Sequence, residues 1–422
     1  MRRLQTIRTA HQRRGVITPL AAGVLLVVLA GIALIINRLW LDAASLEVTT
    51  CIETAVLAAG HEMVSDELIK DQPDYETLMQ RAERSANQAL KLNSVAGQQV
   101  GIKLTKGENL LFGKSVPVVE TGGRRFLQTD HEPRSIQIQI QSPGRIANPV
   151  AEFLSDLTRS HVGTAGAQIQ ATLDNHVRGV RPFENVAVPA YPLAILKTDP
   201  SGKHTQTWEL QIDQKQGKDE YRYDPETKTV SKGSDGIPEI ILTGKPRRGE
   251  ISDANMQILD FGSHFNTDTV MQQILSGLTR KNLTQFQGEL LFDAGPLPLK
   301  CSPNIENGEQ DAFQEMIGQC RICFLYDQLE QQSGSFEGTA FCTNLVGGRI
   351  MAVQRLDNQA CEIILQPGVL SSRSVVLAAP EEEASLNQPV QKIEQTVNKV
   401  GQTAGLKESN QNKYIYKLYL TQ

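Results

Sequence analysis

Val16–Ile36 reads VITPLAAGVLLVVLAGIALII, 21 consecutive positions without a charged side chain. As a helix it rises about 31 Å at roughly 1.5 Å per residue, close to the hydrocarbon thickness of a bilayer. The run outlasts the apolar segment of an ordinary signal peptide, and no small-x-small cleavage pattern closes it. A retained transmembrane helix with ends at Val16 and Ile36 is therefore expected. Pro19 falls in its first turn, where a missing N–H breaks no internal hydrogen bond.

Charge sets the expected orientation. Arg2, Arg3, Arg8, Arg13 and Arg14 precede the span with no acid among them, whereas Arg38 is followed by Asp42, Glu47 and Glu53 before Lys70. Positive charge resists translocation, which keeps the N-terminus in the cytoplasm and sends everything after Asn37 across the membrane. The rest of the chain reads as soluble: of 422 residues 40% are hydrophobic, 5% aromatic and 21% charged, with a net charge of −5. Such a chain can bury more than one core. No basic cluster stands outside the N-terminal arm, which argues against a nucleic-acid partner, and the arm itself suits anionic lipid headgroups.

Working outward from the span, Arg38–Leu68 contains no proline, and Leu39, Leu46, Ile52, Leu57 and Met63 recur near helical spacing. The span should continue into a long amphipathic helix. Asp71, Pro73 and Asp74 interrupt it, and TLMQRAERSANQALKLN supplies a second helix ending near Asn93. The two are expected to fold back as a hairpin or to pack against other subunits.

The basic stretch ending in Gly15, the single span and LEVTTCIETAVLAAG (Leu46–Gly60) together resemble the N-terminal region of TadG-like proteins of the tight-adherence (Flp) pilus apparatus. On that resemblance Leu46 and Glu47 take the place of a Leu-Gln pair, Glu53 that of an acid, and Ala55, Leu57 and Ala58 belong to a run of small residues. Asn37 stands where the family has aspartate, and Cys51 and Ile52 where it has alanines. The related TadE-like pseudopilins carry glutamate five residues after the processed glycine. Here that residue is Leu20, which favours a permanent anchor. The resemblance implies a bacterial inner-membrane protein that helps to assemble a pilus or related surface structure, without catalysis or cofactor. Its implied partners are the lipid bilayer, other assembly subunits met through span and stalk, and further copies of itself.

Beyond Asn93 the pattern turns to alternation, in Val100–Leu104, Asn109–Gly113 and most cleanly in SIQIQIQ (Ser135–Gln141), which reads as half-buried strands. A short helix is expected over Asn148–Arg159, with Asn148 as N-cap. Ala167–Phe183 reads as one long strand, Val186–Leu196 as an edge strand or an extended segment lying across the sheet because of Pro189 and Pro192, and Trp208–Ile212 as a further strand. The polar, turn-rich segment after it should project as a hairpin or loop. PRRGE (Pro246–Glu250) reads as a solvated turn. In Met256–Leu278 a strand leads through Gly262, Ser263 and His264 into a helix capped by Asn266 or Thr267. That junction could cradle an anion, although its single glycine is a weak signal. Asp260 lacks the Asp-x-Ser-x-Ser run of a metal-dependent adhesion site. Three apolar β-rich runs then span Gln319–Gly368. In the tail Val390, Ile393, Val397 and Val400 mark an amphipathic helix, and KYIYKLYL a final strand.

Of six cysteines, Cys301, Cys320, Cys323, Cys342 and Cys361 lie in the region placed outside the cytoplasm, where disulfides are credible and an odd number leaves one over. Cys320 and Cys323 have strand composition between and after them, so the two side chains should point to opposite faces, about 10 Å apart and too far for a shared zinc or a bond. Cys51, on the long helix, reads as a small buried residue. His61 opens HEMVS, which lacks the second histidine of a zinc-protease helix, and no GxSxG or SxxK occurs.

The expectation is an α+β chain. It comprises a basic arm (1–15), a transmembrane helix (16–36), a helical stalk (37–93), a β-rich extracytoplasmic region (94–379) divided near 200–236, and a tail (380–422). A structural, non-catalytic role in a pilus or surface assembly is expected first. A membrane-tethered redox or metal-binding protein using the cysteines between Cys301 and Cys361, or an extracytoplasmic ligand-binding module, are the alternatives.

Overall fold

The computed structural model describes residues 17–95, 98–99, 102–118, 123–141, 166–245, 254–293, 295–331, 337–356, 360–378 and 411–421. Helix α1 (Ile17–Met63) runs unbroken for 47 residues, about 70 Å at helical rise. Only its second half is packed. Cys51, Ile52, Ala55, Val56, Ala59 and Met63 turn inward at helical spacing, while Leu20–Ile36 face outward. Helix α2 (Tyr75–Leu92) folds back against it, started by Asp74, whose carboxylate accepts from Thr77 N at 2.9 Å and Thr77 Oγ1 at 2.7 Å. Ala55 and Ala59 of α1 and Ala82 and Ala86 of α2 are fully buried. Small side chains let the two backbones approach, and Ser85 Oγ reaches the Ala58 carbonyl across the gap at 3.4 Å.

This hairpin lies on an antiparallel sheet of β1 (Leu110–Val118), β2 (Gly123–Gln128), β3 (Ser135–Gln141) and β4 (Gly166–Asp174), completed by the C-terminal strand Ile415–Thr421. Ile136 and Ile138 sit opposite Ala171 and Ile169, so the isoleucines of the alternating segment all face the helices. At Gly60 a Cβ would come within 2.7 Å of Leu418 Cδ1, so α1 lies against the sheet there and any larger residue would require the Leu418 side chain to shift.

The second core is a ring of strands. β5 (Ala190–Leu196), β6 (Ile240–Gly244), β7 (Met256–Leu259), β8 (Leu297–Ser302), β9 (Cys320–Gln331), β10 (Gly338–Arg355) and β11 (Cys361–Pro367) form one sheet. Because β10 is 18 residues long, it pairs with β9 along one edge and with β8 and then β11 along the other. The ladder β10-β8-β7-β5-β9 thereby returns to β10. Helices α3 (Thr267–Ser276) and α4 (Asn307–Glu315) pack outside it.

Several expectations are corrected. Residues 102–105 are not a strand, because Asn87 of α2 takes both the N–H and the carbonyl of Leu104. The strand expected over Ala167–Phe183 breaks at Asn175 and His176, where Asp174 Oδ1 accepts the His176 N–H, and resumes at Val177–Val180. β5 is no edge strand. It is buried throughout, paired with β7 on one side and in parallel with β9 on the other, and Pro192 falls in the register shift where the ladder needs no donor. Trp208–Ile212 forms a π-helical turn (Glu209–Asp213), since Trp208 packs edge-on to Tyr414 at 5.6 Å and the chain must turn back beside it. The polar segment that follows is a hairpin, Tyr221–Asp224 with Thr229–Lys232.

The first core takes in Cys51–Leu90 of the two helices and strands up to Leu173, and the second begins at Val180. The C-terminal strand joins them: Tyr414 and Ile415 belong to one core, Tyr416 to the other. The helix expected at Asn148–Arg159, the turn Pro246–Glu250 and the tail helix lie outside the described residues. If the alanine contact sets how closely α1 and α2 approach, Ala82→Leu overpacks it and costs about 1–3 kcal/mol. Thermal unfolding of the purified protein should show a Tm several degrees lower, while Gln88→Leu, on the exposed face of α2, leaves it nearly unchanged.

Candidate functional site

Two features stand out, a bare apolar rod and a cleft between the two cores. Among the described residues none buries Leu20–Ile36, and its most apolar 18-residue window has a mean hydropathy of 2.7 with 0% buried. Val27 is 71% exposed. A soluble helix would have a covered face, and this one has none. Of the residues singled out in the sequence, Ile36 lies on this helix, and Val16, Arg2, Arg3, Arg8, Arg13 and Arg14 lie outside the described residues. Leu46 and Glu47 are exposed, Glu53, Leu57 and Ala58 half-buried, and Ala55 is sealed against α2.

Between the cores lies a cleft of about 460 Å³ lined by Tyr75, Arg134, Asp213, Lys215, Tyr414 and Tyr416 among others. Domain junctions of this volume commonly take ligands. The π-helical turn forms one wall, and such turns recur at functional sites. Burial pushes the Asp213 carboxyl up, against the pull of Lys413. Lys215, at φ 55, reaches across to pair with Asp71.

Beside the cleft, buried Arg349 of β10 donates from Nη2 to Asp66 Oδ2 at 2.6 Å and from Nη1 to the Gly318 carbonyl at 2.7 Å. Its guanidinium lies over the Tyr223 ring, 3.6 Å from the centroid. The other Asp66 oxygen accepts from Val369 N at 2.7 Å. One carboxylate on the turn after α1 thus ties down both β10 of the second core and the Val369 backbone, whose side chain lies in the first. Burial works against the Arg349 charge, but Asp66, Cys320 and Tyr223 together outweigh it and raise the pKa. Nothing in the sequence pairs these residues, which are 283 positions apart.

All six cysteines are free. Cys320 and Cys323 sit in β9 opposite Arg349 and Val346, as strand spacing requires. Burial pushes the Cys301, Cys320 and Cys361 thiols up to about 12, and Cys323 and Cys342 higher still. Thiols held protonated in this way are poor nucleophiles near neutral pH. No group of three or more His, Cys, Asp or Glu side chains among the described residues is placed to hold a metal ion. The glycine turn before α3 is filled by the chain itself. Asp260 Oδ1 accepts from Ser263 N at 2.8 Å and His264 N at 2.9 Å, and Glu306 accepts from Thr267 Oγ1 at 2.6 Å.

Two consequences are measurable. Asp66→Ala leaves Arg349 buried without its counter-charge and should cost about 3–5 kcal/mol, whereas Asp66→Ala with Arg349→Met together should recover most of that loss in chemical denaturation. Glu239, buried at the foot of the hairpin, accepts from the Glu220 and Tyr221 N–H groups, both at 2.9 Å. Burial, with Asp219 and Asp235 nearby, raises its pKa from 4.5 to about 7. The folded state therefore keeps a proton that the unfolded chain releases. The stabilisation is complete below pH 4.5 and is lost as pH rises through about 7. Glu239→Gln should flatten the stability profile across that window, and an unchanged slope would show that Glu239 does not cause it. Searches against protein-family models, curated proteins and solved structures return no match for the chain.

Proposed function

We propose that the protein is a single-pass inner-membrane component of a tight-adherence pilus or a related surface assembly, with its N-terminus in the cytoplasm and its two-core head outside. Its role is structural and non-catalytic. The observation that carries this reading is α1 itself, one continuous helix whose first half is apolar and bare and whose second half is built into the head. Such a helix transmits the position and orientation of the membrane directly to the head, as a component of an anchored assembly requires. The N-terminal arginines support the orientation, and the TadG-like residues from Arg13 to Gly60 support the kind of assembly. A ligand-binding head is the second reading, favoured by the cleft at the junction of the cores.

Alkaline carbonate washing should leave the protein in the membrane pellet, and protease added outside the cytoplasmic membrane should remove a C-terminal tag while sparing an N-terminal one. Release into the supernatant, or a protected C-terminal tag, would overturn the reading.

A further inference from the structure

In the cleft between the cores one cation stands without a counter-charge among the described residues. Arg134, just before β3, lines this space of about 460 Å³. Its Nη1 donates to Asn175 Oδ1 at 2.9 Å and to Gln411 Oε1 at 3.3 Å, both neutral amides. Its Nε and Nη2, which form one edge of the guanidinium fork, donate to no other described residue. The acids on the same lining are engaged elsewhere. Asp71 pairs with Lys215, and Glu132 with Lys114 at 3.3 Å. Asp213 is bonded by the Tyr414 hydroxyl and drawn on by Lys413.

Two phenols stand beside the same guanidinium. Tyr75 of α2 and Tyr416 of the C-terminal strand line the cleft, and the charge of Arg134 acts on both hydroxyls. Burial pushes both phenols up against that pull, so each stays protonated and able to donate near neutral pH. Neither hydroxyl is bonded to another described residue. A guanidinium edge and two O–H donors make a donor set for an anion, and the planar fork matches a carboxylate.

The rest of the cleft narrows the choice. Glu132 acts on the same two hydroxyls, so a second negative charge on the ligand would be repelled there. Ile69, Ile212, Ile237 and Pro238 supply an apolar part of the lining. The ligand that fits carries one negative charge on an apolar body.

Resting on the reading of the head as a ligand-binding module, we infer that the cleft binds a small organic monocarboxylate. The Nε–Nη2 edge of Arg134 and the hydroxyls of Tyr75 and Tyr416 hold its carboxylate, and Ile212, Ile237 and Pro238 cover its body.

The test is fluorine NMR line broadening of para-fluorobenzoate, para-fluorobenzamide and para-fluorophenyl phosphate by the full-length protein in nanodiscs, with empty nanodiscs as baseline. The benzoate should be broadened well above baseline and the amide and phosphate ester hardly at all. Arg134→Gln should weaken benzoate binding about tenfold, the scale of a charge-assisted hydrogen bond. Tyr75→Phe with Tyr416→Phe removes both hydroxyls, should weaken it by a similar factor, and carries the comparison if Arg134→Gln fails to fold. Stronger binding of the amide or the phosphate ester, lost in the same variants, would overturn the carboxylate class and leave the cleft a ligand site. Binding indifferent to these substitutions, or no broadening above baseline by any of the three probes, would overturn the inference together with the ligand-binding reading beneath it.

Discussion

One helix has two different halves. Leu20–Ile36 is apolar and largely exposed, and from Cys51 onward the apolar positions retreat to one face and disappear into a core. The change happens without a break in the helix, so no loop separates the apolar run from the head. Alanines at the contact with α2 and Gly60 over the sheet hold the second half close. Stability of the head and direction of the anchor are therefore set by the same residues.

The second core is joined to this rod at its far end. Asp66 follows α1 by three residues and bonds to Arg349 and Val369 together, while the C-terminal strand belongs to both cores. A buried ion pair is weak evidence of net stability, since desolvation offsets most of the attraction. Its effect is specificity, because only one placement of the second core satisfies the guanidinium, the carboxylate and the Tyr223 ring at once. The cleft lies beside that junction, between surfaces the pair holds in register.

Local pattern was legible where one physical demand dominates. Ser135–Gln141 reads as a strand and is one, with its isoleucines facing the helices, but it is not half-buried: Ser135 and Gln137 on the other face are buried as well. The hairpin at Tyr221–Lys232 and the Asn266 cap follow from turn and cap chemistry. Reading failed where distant partners decide. Pro192 looked like an edge marker until a register shift made room for it inside the sheet. Trp208–Ile212 alternates like a strand, yet Tyr414, from the other end of the chain, draws Trp208 into a turn. Composition shifts at the polar hairpin, while the membership of the two hydrophobic cores shifts near Asn175. The cleft and the Asp66–Arg349 pair left no local signature at all.

The central claim is that α1 crosses the bilayer and enters the head as one rigid rod. Pulsed dipolar spectroscopy between spin labels at Ile32 and Thr54, in the full-length protein reconstituted into bilayers, measures it directly. A continuous helix predicts a single narrow distance near 33 Å, from about 1.5 Å per residue, with the Ile32 label accessible to oxygen but not to a polar relaxant. A broad or much shorter distribution, or an Ile32 label exposed to water, would contradict the account.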